Sequence, residues 1–106
     1  MLILETIQEN IEDVVKDIES LPENVQDDFI FLKSSNLDIY NLTNEYGNYA
    51  LNERVEFHDN LNAMNKYLRR SIDILDEEFS QDNYNIIIEK SLEINRSIDE
   101  LIKLNN

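Results

Sequence analysis

One glycine and one proline stand in 106 residues, and that scarcity limits the fold more than any other feature of the chain. Hairpins, bulges and tight turns draw on residues that accept positive φ or fix a bend, and a β-rich domain of this length needs several of them. Helices need them only at their ends. The apolar residues accordingly recur at spacings of three and four. Leu4, Ile7, Ile11, Val14, Ile18 and Leu21 form one stripe, and Phe57, Leu61, Met64, Leu68, Ile72, Leu75 and Phe79 form a second. Tyr84, Ile87, Ile88, Leu92, Ile94, Ile98, Leu101 and Ile102 supply a third. No segment asks for a strand. The expected fold class is all-α, a small helical bundle with three long amphipathic helices and one or two short helices, with residues 1–106 as a single acidic helical domain.

Boundaries follow from capping chemistry. The first helix is expected over Leu2–Glu19. Ser20, Leu21, Pro22 and Glu23 read as an S-x-x-E capping box that starts a second helix, with Val25, Phe29 and Leu32 as its core stripe and an end near Lys33. A polar break at residues 34–36, followed by Ser35 and Asp38 as a second S-x-x-D start, predicts a separate short helix carrying Ile39, Leu42 and Tyr46. Gly47 would cap or bend it. Residues 48–79 then predict one helix of about 48 Å at 1.5 Å per residue, and residues 80–83 would cap the last. Ile86, Ile87 and Ile88 spread around nearly a full turn, more apolar surface than one stripe needs.

Charge narrows the choice of partners. The formal net charge is −14, and residues 1–32 hold nine acids against Lys16 alone. A field of that sign repels nucleic acid and acidic membranes and attracts basic proteins. No direct nucleic-acid binding and no membrane partner are therefore expected. The longest uninterrupted aliphatic or aromatic run is FIFL, residues 29–32, and the opening MLIL meets Glu5 without the basic flank of a signal peptide. The absence of cysteine removes disulfides and thiolate chemistry. A cytoplasmic setting is the expectation, and the abundance of Asn and Ile, residues of AT-rich codons, points towards a low-GC bacterium or its phage.

Catalytic constellations are scarce. His58 is the only histidine, has no cysteine to pair with, and reads as an ordinary, partly exposed helical residue. A single glycine cannot build a phosphate-cradling loop, and the oxygen-rich residues 76–83 lack the alternating acids and turn glycine of an EF-hand. Carboxylate pairs remain: Glu53 with Glu56, and Asp73 with Asp76, each spaced to share a helical face. They resemble the paired acidic motifs of the all-α nucleoside-triphosphate pyrophosphohydrolases, which lie on neighbouring helices and hold magnesium. Here both pairs fall on one expected helix, about 30 Å apart, which departs from that pattern. No catalytic, cofactor-binding or metal-ligating residue is assigned, and the chain is read as non-enzymatic, with no cofactor.

The acids of the first helix are the assigned partner-binding residues: Glu5, Glu9, Glu12, Asp13, Asp17 and Glu19. Glu5–Glu9, Glu9–Asp13 and Asp13–Asp17 are like-charge pairs at i,i+4, each costing an isolated helix about 0.2–0.5 kcal/mol. Only Glu12–Lys16 is expected to relieve them. The six acids occupy about 22 Å of axis, roughly one per 3.7 Å, close to the 3.4 Å per phosphate of a DNA strand. The chain resembles DNA-mimicking phage inhibitors in being small, acidic and without catalytic motifs. The leading expectation is therefore an acidic protein that binds and blocks a basic host protein, such as a nucleic-acid-binding enzyme, in the manner of a nucleic-acid mimic of the anti-defence type. The alternative is a helical assembly protein or adaptor, a homodimer whose acids serve solubility and whose self-association residues are Phe29, Ile30 and Phe31. Lys66, Arg69 and Arg70, with Tyr67 between them, read as charge balance, Arg69 reaching Asp73 and the first helix supplying further acids.

Overall fold

The computed structural model describes residues 2–46, 53–79 and 84–104. Helix α1 (Leu2–Glu19) is followed by a single turn, α2 (Glu23–Gln26), and a 3-10 turn (Asp27–Phe29). Helices α3 (Ile30–Asn44), α4 (Arg54–Phe79) and α5 (Asn85–Leu104) complete the chain. Helix α1 packs on α3 and α5, and α4 packs on α3 and α5, so the four long helices form a ring in which α1 and α4 stand on one diagonal. Side-chain bonds fix the directions. Lys33 near the start of α3 pairs with Glu19 at the end of α1, and Lys90 near the start of α5 pairs with Asp17. Adjacent helices thus run antiparallel in an up-down-up-down bundle 44 × 21 × 20 Å in extent.

The three expected stripes converge in one core. Ile7, Ile11, Val14 and Ile18 of α1 meet Leu61, Leu68 and Ile72 of α4 and Ile87, Ile94 and Ile98 of α5, all buried. Two aromatic groups close the ends. Phe29, Phe79 and Tyr84 stack with ring centroids 5.4 to 5.9 Å apart. At the opposite end Tyr46 meets Phe57 edge-on at 4.9 Å, with the Arg54 guanidinium over the Tyr46 ring. Between α4 and α5 the core is polar. Asn95 Nδ2 donates to Asn65 Oδ1 at 2.8 Å and to the Asn65 carbonyl, while Asn65 Nδ2 donates to the Asn95 carbonyl and to Asp99 Oδ1. That reciprocal amide pair is satisfied only when the two residues are level, so it fixes the register of α4 against α5.

Residues 20–46 depart from the expected boundaries. Ser20 forms no capping box: its hydroxyl donates back to the Lys16 carbonyl, and Pro22 is the N-cap of α2 with no side-chain cap bond. Gln26 does the capping instead, its amide donating to the last carbonyl of α1 at Glu19 and to the Leu21 carbonyl in the connection. The polar break at residues 34–36 is absent. Ser35 donates to the Phe31 carbonyl, Asn36 to Leu32 and Thr43 to Tyr40, so these side chains bond within the helix and α3 runs on unbroken. One fifteen-residue helix therefore stands where a break was expected. The caps expected at Gly47 and at residues 80–83, and the first turn of the helix expected from residue 48, lie outside the described residues.

Candidate functional site

Helix α1 turns its apolar stripe wholly inward, and this sets the direction of each acid. Glu5, Glu9 and Asp13 are exposed on its outward side and form no ion pair among the described residues. The other three lean into seams. Glu12 Oε1 accepts a hydrogen bond from the Tyr40 hydroxyl of α3 at 2.8 Å, and Glu19 sits 3.4 Å from the Lys33 ammonium. Asp17 is half-buried, with its Oδ2 2.8 Å from Lys90 Nζ on α5. The expected Glu12–Lys16 pair does not form, because Tyr40 takes the Glu12 carboxylate across the seam. The six acids thus divide between an outward row, with charges about 6 Å apart along the axis, and two structural seams. The even spacing of one charge per 3.7 Å is not presented on a single face.

Two groups carry shifted acidities. The hydrogen bond to Glu12 and the charge of that carboxylate hold the Tyr40 hydroxyl above its ordinary 10.0. The hydrogen bond to Asp17 raises Lys90 above its ordinary 10.5. Neither group titrates near neutrality, so the seams of α1 stay intact there.

Beside this row, Ile11, Val15 and Leu37 floor a groove between α1 and α3 that Glu12, Lys16, Glu19 and Tyr40 rim. A second groove of about 270 Å³ lies between α3 and α4, lined among others by Phe31, Leu32, Tyr67 and Ile74. Phe31 is 66% exposed, Ile74 64% and Tyr67 51%. Of the three self-association residues read from the sequence, Ile30 and Phe31 are at the surface, whereas Phe29 is fully buried against Phe79 and Tyr84 and cannot meet a partner. Tyr67 and Ile74 were not singled out as surface residues, and Ile74 carries a readable signal, since it falls outside the α4 stripe. Ile87 and Ile88 are buried while Ile86 is exposed, so the surplus in that run is one side chain.

The remaining candidates are placed as follows. Arg69 pairs with Asp73 at 3.1 Å, whereas Lys66 and Arg70 are exposed with no ion pair among the described residues. Helix α1, expected to balance them, stands diagonally across the bundle. His58 is half-buried, edge-on to Phe57 at 5.3 Å. Asp73 and Asp76 lie on α4 with Glu56, and among the described residues no three His, Asp or Glu side chains converge on a point where a metal could sit. No described helix is long and apolar enough to cross a membrane. Comparison with protein-family models, curated proteins and solved structures finds no match for this chain.

Proposed function

We propose that this protein is a non-enzymatic binder that engages a basic partner protein through the outward face of α1 and blocks the partner's own contacts. The observation that carries the reading is the row Glu5, Glu9 and Asp13: three exposed acids at i,i+4 with no ion pair among the described residues. A helix selected for folding alone gains from mixed signs at that spacing. The adjoining groove between α1 and α3, with its apolar floor and a rim in which Glu12 and Glu19 outnumber Lys16, suits a basic amphipathic segment whose apolar side chains contact Val15 and Leu37. In its narrower form the partner is a cytoplasmic nucleic-acid-binding enzyme, and the carboxylates take the place of phosphates in its basic cleft.

The test is capture from host lysate by the wild-type chain and by a Glu5→Gln/Glu9→Gln/Asp13→Gln variant, each at low and high salt. The expected result is a basic protein retained by the wild type, released as salt screens the contacts, and captured poorly by the variant. Displacement of that protein by duplex DNA supports the mimic form. Equal capture by both chains, insensitive to salt, removes the proposal.

A further inference from the structure

We propose that the groove between α3 and α4 is the contact face of a two-fold homodimer, in which Arg70 of each copy lies against Asp28 and Glu78 of the other. Three observations carry it, none of them involving the acids of α1. First, Phe31, Tyr67 and Ile74 expose large apolar surfaces around one groove. Apolar patches of this kind on a small chain mark interaction sites. Second, the groove has unlike ends. Arg70 stands towards one end, and Glu78, two helical turns further along α4, stands about 12 Å away at the other. Asp28 is level with Glu78, because it precedes α3, which runs antiparallel to α4. Third, Arg70 forms no ion pair among the described residues.

These facts select the occupant. A wholly basic segment would meet Arg70 with like charge, and a wholly acidic one would meet Asp28 and Glu78. A surface that is apolar in the middle, cationic at one end and anionic at the other complements a copy of itself turned by half a rotation. Ile74 lies midway between Arg70 and Glu78 on α4. A two-fold axis near it stacks Ile74 and Phe31 on their counterparts and brings each Arg70 to the other copy's two carboxylates. The groove takes in no residue of α1, so the dimer leaves both acidic rows open.

The test uses the full chain at physiological ionic strength, where a Debye length of about 8 Å limits repulsion between two copies at −14. Light scattering coupled to size exclusion is expected to rise from 12.6 kDa at low concentration towards twice that value as the chain approaches millimolar. Two charge variants then decide the geometry, both at exposed positions and both checked for unchanged helicity. Arg70→Glu alone gathers three acids on the face, and Asp28→Lys/Glu78→Lys gathers three cations. Each is expected to stay monomeric, and the equimolar mixture is expected to form a heterodimer, since each variant then supplies what the other lacks. A wild type that remains at 12.6 kDa throughout overturns the proposal. So do variants that still self-associate like the wild type, or a mixture that yields no heterodimer.

Discussion

Helices α1 and α3 lie side by side, antiparallel, yet they distribute polar and apolar groups in opposite ways. Helix α1 buries Leu4, Ile7, Ile11, Val14 and Ile18, and from Ile3 onward none of its large apolar side chains is fully exposed. Helix α3 buries Ser35, Asn36 and Thr43 beside Leu32, Ile39 and Leu42, and exposes Ile30, Phe31 and Leu37. The difference separates two kinds of surface. Where the core takes the whole apolar stripe, the outside is free for charge. Where hydroxyls and amides are buried on their own helix carbonyls, apolar groups are left at the surface, available to a partner. The proposed electrostatic face and the proposed apolar face follow from that division.

The comparison holds only if both helices are full members of one core. Ile11 of α1 and Ile39 of α3 are 1% and 0% exposed. Truncating either to alanine should cost roughly 2–5 kcal/mol, read as a lower denaturant midpoint at unchanged slope. A loss below roughly 1 kcal/mol for Ile39→Ala alone would make α3 a loosely docked element and undo the comparison. Asn36 sharpens it. The residue is fully buried, its amide nitrogen donates to the Leu32 carbonyl, and its Oδ1 has no partner among the described residues. Asn36→Ala should therefore cost less than roughly 1 kcal/mol, because lost packing is offset by better helix propensity and by removal of an orphaned acceptor. The two substitutions on one helix should differ clearly in the same titration.

The same contrast explains what could be read from the residues in advance. The stripes of α1, α4 and α5 are periodic, and periodicity reports burial directly, so the all-α bundle was legible. Helix α3 was read as a break because Ser34, Ser35 and Asn36 look like cap residues. Whether a serine hydroxyl caps the next helix or bonds back to residue i−4 depends on what surrounds it, and Ser35 is buried in the folded bundle, its hydroxyl on the Phe31 carbonyl. Phe29 was misplaced for a related reason, since its burial depends on Phe79 and Tyr84, fifty and more residues away. The acids of α1 were readable as a set, but their sorting into seams and outward row required α3 and α5 to be in place. Arg70 was read as charge balance, which assumed that α1 adjoins α4; the ring order puts them on a diagonal.

A smaller effect tests whether the outward row of α1 is neutral to folding. Changing Glu5, Glu9 and Asp13 to glutamine removes all three repulsive i,i+4 pairs and should raise stability by roughly 0.6–1.5 kcal/mol, with the lower end favoured because Glu5 in the first turn suits the helix dipole and the Asp13 charge also attracts Lys90. Asp17 must be left unchanged, since Asp17→Gln would also break the pair with Lys90. A fall in stability on changing the trio would mean that these acids have a structural role, and the electrostatic face would lose its basis.

The smallest effect lies at the seam where α1 and α3 meet, and its sign is fixed by the Tyr40 hydroxyl. Glu12 accepts from that hydroxyl and raises its pKa above the unfolded 10.0. A group whose pKa is raised on folding stabilises the fold fully while pH is below the unfolded value, and its contribution is lost as pH climbs through the folded one. Lys90, held by Asp17 above 10.5, obeys the same sign at the α1–α5 seam. From neutrality to about pH 9 neither group alters the stability, and above pH 10 both contributions decline together. Tyr40→Phe removes one of them. The variant should be slightly less stable than the wild type at neutral pH, and the gap should close as pH rises past the tyrosine's folded value, because the wild type is then losing what the variant never had. Denaturant midpoints taken in steps from pH 7 to 11 measure this, with the phenolate absorbance of wild type minus variant reporting when Tyr40 itself ionises. A gap that stays constant through the alkaline range would show that Tyr40 contributes by packing alone, and that the Glu12 carboxylate is as free as those of Glu5, Glu9 and Asp13 to meet a partner.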